Sequence, residues 1–462
     1  MSATPPGPIP GPDSSCARDR SERMSPGADP VSRNVTWIML QRSVELAVRF
    51  FVGAWLVRYL GPEQFGIYNY AISFTALFAE IASLGLDQIV VRDLARRQRP
   101  HGEILATAMA LRLLAGLVAV GIIYGVTAIS ESDPRIQYAV FMLAGQLLIN
   151  PAMVLELWFQ AQVNSKYVVG IRTAVTLLVA TLQVIFILAG LRFEAFVWLL
   201  LLQAVLTAGG LVLLFGVVGP GRTHWRTVPR VAANMLREAW PLLIAGMSIA
   251  IYMRIDQVML EKFVGIQAVG IYGAAVKVSE LWYAVPTAVA ISAFPGIVTM
   301  RVSLSADTYR QRLQALYDAL ALYSYAVILF VWIFAPQLVL ILFGPAFVES
   351  AAVLRVHVAS LLFVSLGVVY VRWLTAESLM FFSMISTLVG VAVNVALNFV
   401  LIPSLGAEGA AWATLISYAA ATFLAPLAIR QLRPALVQLS AALLAPLRVH
   451  KMAWRDIFQN AG

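Results

Sequence analysis

The sequence holds a single cysteine, Cys16, so no disulfide and no cysteine-based metal site can form within one chain. Its four histidines lie far apart, which argues against a zinc centre. Charge is scarce too. Asp, Glu, Lys and Arg make up 12% of the 462 residues, about half of the roughly 25% carried by soluble domains. Because that deficit runs the whole length, it excludes an ordinary soluble protein. What fills the space is apolar: 60% of the chain, arranged in repeated runs of about 20 residues, the length that crosses a bilayer core. The net charge of +9 is not a nucleic-acid signal, because most basic residues fall in short loops between those runs.

Residues 1–33 hold seven prolines and no apolar core, and they read as a disordered cytoplasmic tail without a run long enough for a cleaved leader. From Asn34 onward the pattern predicts an all-α polytopic membrane protein of about twelve spans, in two sets of six. The expected organisation is an N-terminal six-helix bundle over 34–218, a cytoplasmic linker over 219–231 and a C-terminal six-helix bundle over 232–430. A cytoplasmic or interfacial tail follows over 431–462, because "PALVQLSAALLAPL" is too short to span. Loop charges give an independent check. Basic residues crowd "RDLARRQR", "GRTHWRTVPR", "MRVSLSADTYRQR" and "RVHKMAWRD", while the opposite loops hold only Arg58, Arg135, Arg192 and Lys262 beside several carboxylates. The positive-inside rule then puts both termini in the cytoplasm.

The halves also echo each other. "LVRYLGPEQFGIYNYA" from Leu56 aligns with "LEKFVGIQAVGIYGAA" from Leu260, matching Gly61, Gly66, Ile67 and Tyr68 to Gly265, Gly270, Ile271 and Tyr272 at a constant offset. Two six-span halves in the same order share one orientation, so the repeat is of the parallel kind, related by an axis along the membrane normal. The glycines of this motif permit a tight reversal and a close helix approach.

A charge at a helix centre costs about 2.5–3.5 kcal/mol on insertion scales, so each one needs a partner or a wet cavity. Arg112, Arg172 and Arg355 lie near span ends, where snorkelling accounts for them. Arg42, Glu45 and Arg49 share one face of the first span. Arg254 and Asp256 fall in the seventh span, and Lys277 and Glu280 in the eighth. In a parallel repeat the first and seventh spans meet across a central cleft, and an arginine-rich cleft suits an anionic ligand, above all a diphosphate. The alternative is that Arg42–Glu45, Arg254–Asp256 and Lys277–Glu280 are self-neutralising pairs. Glu80, mid-span, is a candidate for proton or sodium coupling, and Asp87 a partner for Arg92. Pro286 is expected to bend the eighth span.

The order "RFFVGAWLVRYLGPEQFGIYNYA", "SLGLDQIVVRDLARR" and "RIDQVMLEKFVGIQAVGIYGAAVKVSE" resembles the bacterial O-antigen and polysaccharide flippases, within the multidrug/oligosaccharidyl-lipid/polysaccharide exporter superfamily. The resemblance covers about residues 34–430. It implies two six-helix bundles around a central cavity that opens alternately to each side of the bacterial inner membrane. It implies a transporter and not an enzyme, with an undecaprenyl-diphosphate-linked oligosaccharide as cargo. It also implies membrane lipid as a partner, alongside polysaccharide polymerase and chain-length regulator proteins, with no nucleic acid. No cofactor or metal follows, beyond coupling to a proton or sodium gradient. Carried onto this chain, the family's cationic cavity falls on Arg42, Arg49, Arg254 and Lys277, and its charge-pairing or ion-coupling positions on Glu45, Glu80, Asp256 and Glu280. Competing readings are a polymerase or ligase of the same pathway, a lipid II flippase and a drug/cation antiporter. The enzymes need a large outer loop, the similar lipid II flippases carry fourteen spans, and a cation antiporter calls for an acidic or apolar cavity.

Overall fold

The computed structural model describes residues 30–96, 99–162, 165–219 and 224–448, with side-chain surroundings for all of these except 30–47, 49 and 165. Of the tails predicted over 1–33 and 431–462, residues 1–29 and 449–462 lie outside the described residues. The chain divides into two compact units, 1–51 and 52–462. The first is helical from Pro30.

Among the described residues the structure is helical throughout. In chain order the helices are α1 (Pro30–Ser83), α2 (Asp87–Arg96), α3 (His101–Ser130), α4 (Pro134–Ile149), α5 (Val154–Ala161), α6 (Ser165–Leu188) and α7 (Phe193–Val218). The second half contributes α8 (Pro229–Phe263), α9 (Ile266–Leu281), α10 (Ala284–Ser303), α11 (Ala306–Phe343), α12 (Ser350–His357), α13 (Ser360–Ala376) and α14 (Met380–Ala428). Short α15 (Arg433–Leu443) and α16 (Ala445–Arg448) close the described chain. Taken together across the short breaks between α1 and α2, α4 and α5, α9 and α10, and α12 and α13, the helices make ten segments long and apolar enough to cross a membrane. Two of them turn back inside one unbroken run, at Gly61 and at Gly406, so twelve spans result. The side-chain distribution reverses that of a soluble protein. Leu213, Val217, Ile341 and Leu427 point outward, while Ser73, Ser279, Ser324, Asn394 and Asn398 are fully buried. Small polar residues between helices and large apolar ones outside are what a lipid solvent selects.

The repeat motif becomes a joint. Gly61 and Gly265 hold φ of 70° and 114°, which only glycine adopts without strain, and each ends a span in a tight reversal. Five residues on, Gly66 packs its bare Cα on the carbonyl of Ile266, and Gly270 packs on the carbonyl of Pro62. These contacts are each other's images at the same offset of 204 residues. A second image pair lies deeper. The side-chain amide of Asn69 and the hydroxyl of Ser73 each donate to Gln257 Oε1 at 2.6 Å, while Lys277, the counterpart of Ser73, lies against Gly53, the counterpart of Gln257. The pseudo-twofold axis therefore passes between α1 beyond Gly61 and α9. One apolar core, from Leu56, Phe65 and Val140 to Leu260, Val276 and Phe343, joins both halves at this Gly61 end. At the opposite end two separate cores form. One, around Leu86, Leu105, Trp158 and Leu211, also takes in the start of α8. The other, around Tyr317, Leu366 and Trp373, includes α15.

Prolines break the spans where a partner waits for the freed carbonyl. The bend expected at Pro286 is a full break: α9 ends at Leu281 and α10 restarts at Ala284. Pro286 has no N–H for the carbonyl of Trp282, and the Tyr323 hydroxyl donates to that oxygen instead, at 3.1 Å. Pro336 likewise frees the carbonyl of Trp332, which accepts from Arg355 Nε at 3.1 Å, the guanidinium also stacking on the Trp332 ring. Arg355 is thus a carbonyl cap and not merely a snorkelling cation. Tyr323→Phe should lower stability by about 1 kcal/mol, the worth of one neutral hydrogen bond, leaving transport intact. Thermal unfolding of the detergent-solubilised protein, followed by tryptophan fluorescence, checks this.

The short segment expected at the interface is α15. It buries Ala435, Leu439 and Ala442 at helical spacing in the same core as Tyr309, Leu313 and Tyr317 of α11. Gln438 Nε2 donates to the carbonyl of Arg310 at 2.9 Å, and Arg448 pairs with buried Asp318 at 2.9 Å.

Candidate functional site

The side chains of Arg42, Glu45 and Arg49 lie outside the described residues. The other charges singled out in the spans fall into two places, one in each half.

In the second half, α8 carries Arg254 and Asp256 two positions apart, so they leave the helix on roughly opposite sides. Asp256 turns into the bundle and is buried. Its Oδ2 accepts from the Tyr272 hydroxyl at 2.5 Å and from Thr414 Oγ1 at 2.8 Å, while its Oδ1 is buried with no partner. The network continues along α14. Ser417 donates to the carbonyl of Thr414 at 2.8 Å, Asn394 Nδ2 donates to Ser417 at 3.4 Å, and Asn398 Nδ2 donates to Asn394 Oδ1 at 3.0 Å. Asn398 Oδ1 is a second buried oxygen without a donor. Tyr272 also meets His357 edge-on, and the His357 ring is hydrogen-bonded to Ser279 Oγ at 3.0 Å. Tyr272, the tyrosine of the repeated motif, is thus a buried hydrogen-bond donor to a carboxylate.

The self-neutralising pairs do not form here. Asp256 bonds to Tyr272 and Thr414 and not to Arg254, and Lys277 lies over the Phe65 ring, 5.7 Å from its centroid, and not against Glu280. Arg254, Lys277 and Glu280 make no ion pair among the described residues, although all three are only partly exposed. Three charges from α8 and α9 thus lie in the spans without a direct salt bridge, Lys277 resting on an aromatic face.

In the first half the charges assemble into a cleft of about 670 Å³ at the end of the bundle opposite Gly61. The end of α1 supplies Glu80, α2 supplies Asp87, Gln88 and Arg92, and α3 supplies Arg112. Asn150 comes from the turn after α4, Glu156 and Gln160 from α5, and Arg172 from α6. Arg112 does not snorkel. Its side chain is 3% exposed and it forms an ion pair with Asp87, while its Nη1 donates to Asn150 Oδ1 at 3.3 Å. Asp87 therefore does not pair with Arg92, which holds Asp93 at 2.8 Å and, across the two halves, Glu238 of α8 at 2.6 Å. Arg172 pairs with Glu156. Glu80 accepts from Ser83 Oγ at 3.3 Å, and its carboxylate fills the notch left by Gly246 of α8. Sequence reasoning passed over Asn150, Glu156 and Gln160. The available signal was a proline-interrupted span, "INPAMVLELWFQAQ", carrying polar residues at its broken end.

The family model described as "Polysaccharide biosynthesis protein" matches residues 31–301, more than half of the chain. No curated protein matches it. Among solved structures, the lipid II flippase MurJ in an inward closed conformation superposes with a TM-score of 0.72 at 10% identity, covering 92% of this chain and 94% of that one. An inward-facing multidrug resistance MATE family transporter of the MOP superfamily gives 0.62 at 15% identity, over 88% and 96%. A mutant of the Vibrio cholerae MATE transporter VcmN gives 0.55 at 11%, over 90% and 96%. At such identities these likenesses speak for the fold: twelve helices in two lobes.

Proposed function

The chain belongs to the polysaccharide biosynthesis protein family, and from that premise we propose that it is a flippase that carries a lipid-linked oligosaccharide from the inner to the outer leaflet. The cargo is an undecaprenyl-diphosphate-linked unit of O-antigen, capsule or exopolysaccharide, and the mechanism is alternating access between two six-helix bundles, 34–218 and 232–430. The observation that carries this reading is that Arg254, Lys277 and Glu280, on the facing spans α8 and α9, form no salt bridge among the described residues. Such groups mark a wet or ligand-filled path in a membrane protein. Two of the three are cations, which suits a diphosphate that arginine grips bidentately. The polyprenyl tail stays in lipid while the sugar and diphosphate head crosses in the cavity. Loop charge puts the linker 219–231 and both termini in the cytoplasm of a bacterial inner-membrane protein. A polymerase and a chain-length regulator would receive the flipped unit outside.

The coupling ion is assigned to the Asp256 network. Asp256 Oδ1 and Asn398 Oδ1 are two buried oxygens in want of a donor or cation, and every group around them offers oxygen, the ligand of hard alkali cations.

Proteoliposomes loaded with the lipid-linked oligosaccharide test the reading. Protein-dependent exposure of the glycan at the opposite leaflet is expected, and Arg254→Ala should slow it about ten- to a hundredfold, the worth of one charge-assisted hydrogen bond. Equal rates with and without protein, or an Arg254→Ala variant as fast as the parent, would overturn it.

A further inference from the structure

We propose that the cleft of the first half is a glycan subsite: it receives the sugar head of the cargo, while the diphosphate is held elsewhere. This deepens the flippase reading and rests on it.

The charge of the cleft separates sugar from phosphate. Its three arginines, Arg92, Arg112 and Arg172, each hold a carboxylate already. With Glu80, Asp87 and Glu156 in the same wall, the lining is formally neutral. A diphosphate entering here would meet three carboxylates and would have to displace them from their arginines. A polyhydroxyl ligand meets no such penalty, because each sugar hydroxyl both donates and accepts. Carboxylate and amide oxygens serve the first role and guanidinium and amide N–H groups the second. Donors are left over. Arg112 Nε is buried without a partner, and the exposed side chains of Gln88 and Gln160 form no hydrogen bonds among the described residues. An orphan guanidinium N–H on a side chain that is 3% exposed is a cost the fold carries in the wall of this cleft.

Position and size agree. Arg112 lies eleven residues into α3, about 16 Å along the helix, so the cleft sinks polar groups well below the end of the bundle. Its volume falls inside the range of about 300–1,000 Å³ typical of small-molecule sites, room for a short oligosaccharide. The wall is also shared between halves, because the Glu80 carboxylate packs on Gly246 of α8. A sugar hydrogen-bonded to Glu80 touches the element that must shift when the lobes rearrange.

The test compares two probes on the purified full chain: total polyprenyl-linked oligosaccharide extracted from the cells that encode it, and undecaprenyl diphosphate without sugar. Binding is read by native mass spectrometry for the parent, for the rim variant Gln88→Ala with Gln160→Ala, and for Glu80→Gln. The rim variant and Glu80→Gln should each bind the glycosylated carrier about tenfold more weakly and the bare carrier unchanged. Equal losses for both probes, or no loss for either, overturn the subsite while the flippase reading stands. A parent chain that binds neither probe overturns both.

Discussion

Gly270→Val should stop glycan export while leaving the protein in the membrane at normal abundance. The Cα of Gly270 lies on the carbonyl of Pro62, and any side chain there overlaps that oxygen. Neither partner can yield by rotating a side chain, since both surfaces are backbone. Overpacking in a relaxed core costs about 1–3 kcal/mol, and a backbone-to-backbone clash lies at the top of that range or beyond. The joint at the Gly61 end is the place where one apolar core spans both halves. A penalty of about 3 kcal/mol there shifts the balance against the joined arrangement by more than a hundredfold. By the pseudo-twofold repeat, Gly66→Val against Ile266 should do the same. Cysteines placed at Asn69 and Gln257, whose side chains share a 2.6 Å hydrogen bond, report on the joint directly, with Cys16 as the only native thiol to remove. Cross-linking should be efficient in the parent and collapse with Gly270→Val. Gly296→Val, where a side chain meets open space, is the matched control. Export and cross-linking at parental levels in Gly270→Val would show that the joint absorbs the added side chain and that close backbone packing there is not required for transport.

The motif at this joint was legible because the repeat fixes pairs of positions without any knowledge of contacts. A constant offset relates Gly66 to Gly270, and close packing of glycines follows from their lack of a side chain. The spans were legible for a related reason: length and hydropathy decide whether a helix can cross, whatever it packs against. Partner choice was not legible. Arg112 reads as a snorkelling cation in its own helix, and only the turn at Leu84 and Gly85 brings Asp87 of α2 to it. Arg355 looks idle until it is joined to Pro336, nineteen residues earlier, whose missing N–H leaves the Trp332 carbonyl that Arg355 caps. Arg254 and Asp256 suggest a pair because they are near in sequence, yet a helix turns them apart, and Tyr272 and Thr414 take the carboxylate. In each case local sequence gives the need of a group, and the tertiary fold alone decides who meets it.

Asp256→Asn should abolish ion-driven transport without unfolding the second half. The carboxylate is an awkward structural residue. It is buried, and Oδ1 has no donor, an arrangement that costs about 1–3 kcal/mol for a neutral group and more for a charged one. Asparagine keeps an oxygen for the Tyr272 hydroxyl and Thr414 Oγ1, and it removes the charge. If the carboxylate is purely structural, the variant gains stability and transports normally. If it binds a cation, the orphan oxygens are explained and the two proteins respond differently to salt. Raising sodium to a hundred times its dissociation constant should stabilise the parent by about 2.7 kcal/mol. The variant should be insensitive at matched ionic strength, with choline in place of sodium as the control. A proton in the same place gives another pattern: no sodium response in either protein, with transport driven by a pH gradient in the parent and lost in Asp256→Asn. Transport by the variant that keeps its full dependence on either gradient would remove Asp256 from the coupling path. The unpartnered oxygen would then be an uncompensated cost of the fold.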